Sequence, residues 1–271
     1  MRRLGTLSAR DEFKQATFSS RALGRLQVFP LLGIPEVEPG ADLVDLILRS
    51  LRRSGVRFAD KDVLVVKQKV VSKAEGRLVN LEYVKPGDLA SKLGREEGKD
   101  PRLVEVVLGE AVRVVRAGHG VIITETRHGF VCANSGVDKS NVRDGYVALL
   151  PVDPDRSARS IRRAIEKRTG KRIAVVVTDT FGRPWRRGQT DVAIGCSGIK
   201  PLFSYKGKTD SYGYSLRVTE PAVADEVASA AELVIGKLSG IPAAIVRGVK
   251  YERGEGGAKE LVIAQEQDLF R

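Results

Sequence analysis

Ile173-Ala-Val-Val-Val-Thr-Asp-Thr-Phe-Gly-Arg-Pro-Trp-Arg-Arg-Gly188 begins with five apolar residues and then packs an acid, two hydroxyls, a tryptophan and three arginines together. Five apolar residues rich in β-branched valine are too few for a buried helix and predict a buried strand over Ile173 to Val177. Asp179 and Thr180 would then sit just beyond the strand end, where α/β proteins hold their ligands. The basic stretch Ser157 to Thr169, between Pro154 and Gly170, predicts a helix feeding this strand.

Working outward, the same alternation recurs. A first strand is expected at Arg25 to Phe29. Asp42 is placed to cap a helix whose apolar residues Leu43, Val44, Ile47, Leu48 and Leu51 recur at helical spacing, with Gly55 as the stop. Asp62 to Val71 reads as a buried strand running into a polar loop at Ser72. Asp100 and Pro101 open a helix through Val104, Val107, Leu108, Val112 and Val115, ended by Gly118, and a strand follows at Val121 to Thr124. Thr219, Glu220 and Pro221 start an alanine-rich helix to about Leu238, and Gly240 to Pro242 turns the chain into a strand at Ala243 to Val246. The expected class is α+β, with mixed sheet and helices. Val121 to Thr126 and Val175 to Thr180 share an apolar strand followed by threonine, acid and threonine; this echo suits two interleaved subdomains but is short enough to arise by chance. Residues 1–24 show no sustained period and read as an N-terminal extension, with the folded body at 25–271.

The chain has 271 residues, 42% of them hydrophobic, enough for a sizeable core. Neither a secretory signal nor a stretch of the roughly 18 apolar residues a membrane helix needs is visible, so no membrane partner is expected. Cys132 and Cys196 are too few and too far apart for a disulfide framework or a zinc cluster, and a reducing, cytoplasmic setting follows. The net charge of +12 implies anionic partners. Aromatics are only 6% and scattered, unlike the stacking surface of a nucleic-acid module, so nucleic acid is not expected.

Three segments concentrate chemistry. In Cys132-Ala-Asn-Ser-Gly-Val-Asp-Lys-Ser-Asn141, one acid sits on a tight polar loop whose oxygens suit a hard cation such as magnesium or manganese; an ordinary surface turn has the same composition. In the segment after Val177, Asp179 and Thr180 would hold a metal, Arg183, Arg186 and Arg187 would meet phosphate oxygens, and Trp185 would supply an apolar wall; a helix cap with solvated arginines is the alternative. Lys67 to Gly76 places lysines, Lys73 foremost, where a polyphosphate would lie, although a solvated strand edge looks alike. Neither a P-loop nor a Rossmann fingerprint is present: Gly207-Lys-Thr209 lacks its first glycine, Leu202 standing in its place. His119 and His128 lack metal-ligand spacing, the cysteines read as inert, and Gly254 to Gly257 is either a phosphate nest or a loop.

Taken in order, Leu32-Gly-Ile-Pro-Glu36, Val70-Val-Ser-Lys-Ala-Glu-Gly-Arg77, Ala133-Asn-Ser-Gly-Val-Asp-Lys-Ser-Asn-Val142, Thr178-Asp-Thr-Phe-Gly-Arg-Pro-Trp-Arg186 and Gly236 through Gly248 resemble the coenzyme F420-0:L-glutamate ligase family. The resemblance implies a homodimer of α+β subunits that binds GTP without a P-loop, requires magnesium or manganese, and is often stimulated by potassium. It implies that L-glutamate is joined through its amino group to coenzyme F420-0, by way of an acyl phosphate. Carried onto this chain, it gives Asp138 and Asp179 one metal and Thr180 an approach to a second, with Lys73 and Asn141 at the nucleotide. Ile34, Pro35, Glu36, Val37, Gln68, Lys69, Ile235, Gly236, Lys237, Leu238, Ser239, Gly240, Ile241 and Pro242 complete the implied GTP site. Lys237 departs from the pattern, because some relatives place there a glutamine that reaches the second metal; this puts a second protein-held ion in doubt. The nucleotide motifs do not define the acceptor, so a ligase acting on another phosphorylated carboxylic acid stays open.

Overall fold

A computed structural model of the chain describes residues 24–269, so the expected N-terminal extension lies, apart from Gly24, outside the described residues. The strands and α-helices in chain order are β1 (Gln27–Pro30), α1 (Leu43–Arg53), β2 (Val63–Lys67), α2 (Gln68–Ala74), β3 (Leu78–Asn80), α3 (Asp88–Glu96), α4 (Pro101–Glu110), β4 (Ala111–Gly118), β5 (Val121–Thr126) and β6 (Val131–Ala133). They continue with β7 (Tyr146–Ala148), α5 (Pro154–Thr169), β8 (Ala174–Arg183), β9 (Arg186–Ser197), α6 (Val223–Ile235) and β10 (Ala243–Arg247). The class is α+β, as expected.

Because Val63 to Val66 and Ala174 to Val177 are apolar at every position, β2 and β8 bury both faces, and they pair in parallel at the centre of a five-stranded sheet. The order is β1-β10-β2-β8-β9, every other pair being antiparallel. Leu64, Val66, Val175, Val177 and Ile245 face α1 and α5 through Leu43, Ile47, Leu51, Ile161 and Ile165. The alternate residues Val63, Val65, Ala174, Val176 and Val246 face α6 through Val223, Val227, Ala231 and Ile235. Fully burying each valine, leucine or isoleucine among these contributes about 1.5–3 kcal/mol. Asp62, fully buried at the start of β2, takes Arg247 in a two-pronged bond, both arms at 2.8 Å, and so ties β10 to β2.

Between α2 and α5 the chain builds a two-stranded sheet, β3-β7, and a three-stranded one, β4-β5-β6, with α3 and α4 over smaller apolar clusters. The two echoing segments form β5 and β8 in different sheets, each followed by an antiparallel partner.

Several expected boundaries move. The strand read as Asp62 to Val71 ends at Lys67, and Gln68 begins α2 without a loop; Val70 and Val71 have strand propensity, but Val71 packs into the core from a helix. The helix read through Val115 stops at Glu110, and Val112 to Val115 belong to β4, a junction marked only by Gly109 inside the last turn of the helix. Helix α5 starts three residues early, with Asp153 accepting from the Arg156 amide as its cap, and α6 starts at Val223 and ends at Ile235 against Gly236. Strand β8 runs on through Asp179 and Thr180 to Arg183, so these two residues lie within the strand and not beyond it.

Candidate active site

At the carboxyl ends of the parallel strands, Lys67 of β2 pairs in register with Thr178 of β8. Here a cleft of ≈ 400 Å³ opens. Of the residues expected at the nucleotide, Ile34, Pro35, Glu36 and Val37 line it from the segment after β1, and Gln68, Lys69 and Lys73 line it from α2. Gly236, Lys237, Leu238, Gly240, Ile241 and Pro242 line it from the turn before β10, and Asn141 from the loop before β7. Asp138, Asp179 and Thr180 join them. Ile235 and Ser239 do not: Ile235 is fully buried as the last residue of α6, and the Ser239 hydroxyl donates to the Ile235 carbonyl.

Asp138 is fixed by its loop. Asn134 and Ser135 adopt positive φ, and buried Ser135 donates to the Val107 carbonyl at 2.8 Å while its amide donates to Thr124 Oγ1 at 2.9 Å. Gly136 continues the left-handed turn, and a Cβ there would lie 2.7 Å from Leu150, so glycine is required twice over. Asp138 then exchanges backbone hydrogen bonds with Ala148, which sets its side chain toward α2. There its carboxylate accepts from Lys69 Nζ at 2.7 Å and from the Ser140 amide and hydroxyl at 2.7 and 2.9 Å. Burial works against the charge, but the bonds from Lys69 and Ser140 outweigh it and hold Asp138 below the usual carboxylate range.

Asp179 contrasts with it. Burial, with the negative charges of Asp138 and Asp191 added, pushes its carboxyl up to about 7 against the opposing bond from the Thr180 amide. Thr180, the next residue, points to the other side of the strand and donates to Asp191 at 2.7 Å. Lys73, almost fully buried, forms an ion pair with Glu36 across the cleft mouth. Among the described residues no three His, Cys, Asp or Glu side chains form a metal-ligating group, so the protein offers a cation the two carboxylates Asp138 and Asp179 at most, with neutral oxygens.

Other expected participants fall elsewhere. Arg183, Arg186, Arg187 and Trp185 form the exposed tip of the β8–β9 hairpin and line no part of the cleft. At roughly 3.3 Å per residue the tip lies on the order of 20 Å along the strand from Asp179. Gly207-Lys-Thr209 is an exposed turn. The Gly254 to Gly257 loop is already filled from within: the Asp155 carboxylate takes the Ala258 and Cys196 amides at 2.9 and 2.7 Å, leaving no room for a phosphate at Gly257. His128 binds the Pro151 carbonyl at 2.9 Å and His119 sits exposed in a turn. Both cysteines are buried, the Cys132 thiol pushed up to about 12, which fits inert thiols. Lys67 lines the cleft as the first lysine of the stretch expected at a polyphosphate, Val70 and Thr178 line it without an assigned role, and Asp191 stands directly behind. Only the actual pairing register of β8 and β9, with Gly182 opposite Gln189 and Thr180 opposite Asp191, would have pointed to Asp191.

The family model described as F420-0:Gamma-glutamyl ligase matches residues 32–248, from the first wall of the cleft to the end of β10. The chain belongs to this family. Three ligase relatives, each named coenzyme F420:L-glutamate ligase, share it. The protein of Methanothermobacter thermautotrophicus is 47% identical over 242 residues, covering 88% of this chain and 96% of the relative. That of Methanopyrus kandleri is 46% identical over 254 residues (92% and 99%), and that of Archaeoglobus fulgidus 43% over 248 (91% and 97%). The family match includes every residue that lines the cleft.

Proposed function

We propose that the protein is a GTP-dependent ligase that joins L-glutamate to coenzyme F420-0, releasing GDP and phosphate. The observation that carries this is the meeting of Asp138 and Asp179 in one cleft with Lys69, Lys73 and Asn141, in a chain whose relatives bear the name of that activity.

A divalent cation fits the residues present. Asp179 sits beside two other carboxylates and holds its proton well above the usual range, the state of an acid that lacks a countercharge. Two carboxylates are the set with which a protein holds magnesium or manganese when phosphate oxygens and water complete the shell. The bound ion would offset charge on the transferring phosphoryl group. Asp138 and Asp179 would hold it. Thr180 offers a hydroxyl oxygen, whereas Lys237 brings an ammonium to the lip, which fits one ion better than two and leaves any stimulating potassium without an assigned ligand.

In the reaction, a carboxylate oxygen of coenzyme F420-0 attacks the γ-phosphorus of GTP, the bond to the β-phosphate oxygen breaks and GDP leaves. The glutamate amine, having lost its ammonium proton, attacks the resulting acyl phosphate carbon; phosphate departs with its oxygen, and the nitrogen gives up a second proton to the departing phosphate or to water to leave the amide. No nucleophilic side chain is needed; the protein's work is positioning and charge compensation. Lys73, preset by Glu36, and Lys69, preset by Asp138, would meet phosphate oxygens. The homodimer and the cytoplasmic location are parts of the same proposal; no helix among the described residues is long and apolar enough to cross a membrane.

Glutamate-dependent GDP release, measured with and without coenzyme F420-0, tests the assignment. Release is expected only with the coenzyme present. Release that ignores it would point to another acceptor and overturn the proposal.

A further inference from the structure

Asp191 has no part in the steps above, yet it is a fully buried carboxylate one layer behind the cleft, opposite Thr180 in the β8–β9 register. One oxygen, Oδ1, accepts from Thr180 Oγ1 at 2.7 Å. The other, Oδ2, accepts from Lys67 Nζ at 2.6 Å; Thr178 Oγ1 lies 3.2 Å from it but makes its shorter bond, 2.9 Å, to the Val192 carbonyl. Lys67 is held in turn by Glu232 of α6, and α6 grips the strand again through Ser229, whose hydroxyl donates to the Asp191 carbonyl at 2.8 Å. The two carboxylate oxygens are therefore not interchangeable: one belongs to Thr180 and the other faces an ammonium.

This asymmetry fixes a proton. An ionised carboxylate only accepts, and a threonine hydroxyl has a single hydrogen. With that hydrogen committed to Asp191, the lone pairs of Thr180 Oγ1 are what remains for the cleft it lines. A free hydroxyl would turn either way; this one is set as an oxygen acceptor. We propose that Asp191 is a positioning residue that presets Thr180 Oγ1 as an oxygen ligand for a divalent cation in the cleft that Thr180 lines. The proposal rests on the metal reading above.

The amide variant gives a test that separates orientation from mere packing. In Asp191→Asn the side-chain NH2 cannot face the Lys67 ammonium, so the amide oxygen turns to Lys67 and the NH2 to Thr180. Thr180 must then accept, and its own hydrogen swings into the cleft. Removing the ammonium as well, in Lys67→Met/Asp191→Asn, lets the amide turn back and offer its oxygen to Thr180 again.

The measurement is Mn2+ uptake by the full chain without nucleotide, read as the free Mn2+ signal in electron paramagnetic resonance. Asp191→Asn is expected to weaken uptake by roughly tenfold to a hundredfold, the range for a partner that orients a metal ligand. The Lys67→Met/Asp191→Asn protein is expected to recover most of that loss, which a packing defect would not do. Thr180→Val, nearly isosteric and without the oxygen, is expected to weaken uptake to a similar degree and guards against a folding failure at Asp191. Wild-type uptake in Thr180→Val or in Asp191→Asn, or no recovery in the double variant, overturns the proposal. A wild-type protein that takes up no Mn2+ at all overturns the metal reading first, and so the two failures are distinguishable.

Discussion

Asp138 and Asp179 share a cleft, yet their carboxyl groups are driven in opposite directions, one lowered by Lys69 and Ser140 and the other pushed up to about 7, chiefly by burial. Two consequences follow for Asp179. Without a cation, the folded protein keeps this proton up to about 7 whereas the unfolded chain releases it near 3.8, so the folded state binds more protons between those values. Stability from this group is therefore fully present below about 4 and is lost as pH rises to about 7. Thermal melts in a chelator should show this slope in the wild type and a flatter one in Asp179→Asn; identical slopes would refute it. A cation must displace the same proton, so Mn2+ uptake should strengthen as pH rises toward 7, on the order of tenfold per unit below it. Asp138→Asn and Asp179→Asn should each abolish ligation with the fold retained by circular dichroism, since each removes an anionic oxygen from a two-carboxylate set. Near-normal turnover in either would remove its assigned role.

At the scale of elements, close approach sets what the fold tolerates. A Cβ on Gly195 of β9 would stand 2.4 Å from the backbone carbonyl of Pro154 at the start of α5, a rigid neighbour. Gly195→Ala should cost about 1–3 kcal/mol in denaturant unfolding, whereas Gly182→Ala, with open space at its Cβ, should change little. Removing Asp62 takes the two-pronged bond from Arg247, which is half-buried and keeps the Arg57 carbonyl, and Asp62→Ala should cost about 1.5–3 kcal/mol. The elements legible in the sequence were those with a clear apolar period and a marked end: α1 behind Asp42, α4 behind Asp100 and Pro101, and the central strands β2, β8 and β10. What escaped were junctions with little to mark them: Lys67 to Gln68 has no breaker and Glu110 to Ala111 only Gly109 inside the last helical turn, so tertiary packing decides between helix and strand. Strand β9 escaped as well, because its outer half, Arg186 to Thr190, is polar and exposed and only the hairpin with β8 makes it a strand.

At the scale of the whole molecule, the site is made by the chain's departure from the large sheet after α2 and its return at α5. The intervening segment carries Asp138, bridged to Ala148 of β7, back over α2, so that it meets Asp179 of β8 at the strand ends. The loop motifs legible in sequence therefore fall on most of the cleft's lining, with Val70 and Thr178 unassigned and Ile235 and Ser239 outside it; the arginines and tryptophan of the hairpin also lie outside it, because their crowding beside Asp179 in sequence becomes separation along an extended strand. A net charge of +12 should make coenzyme and nucleotide binding weaken as salt is raised, which a titration of KM against ionic strength would check. The most direct test of the account is mass spectrometry of coenzyme F420-0 incubated with the protein, GTP, Mn2+ and L-glutamate. The predicted result is the coenzyme extended by one or more glutamyl units in the wild type and unchanged with Asp179→Asn. An unextended coenzyme in the wild type, or equal extension with both proteins, would contradict it.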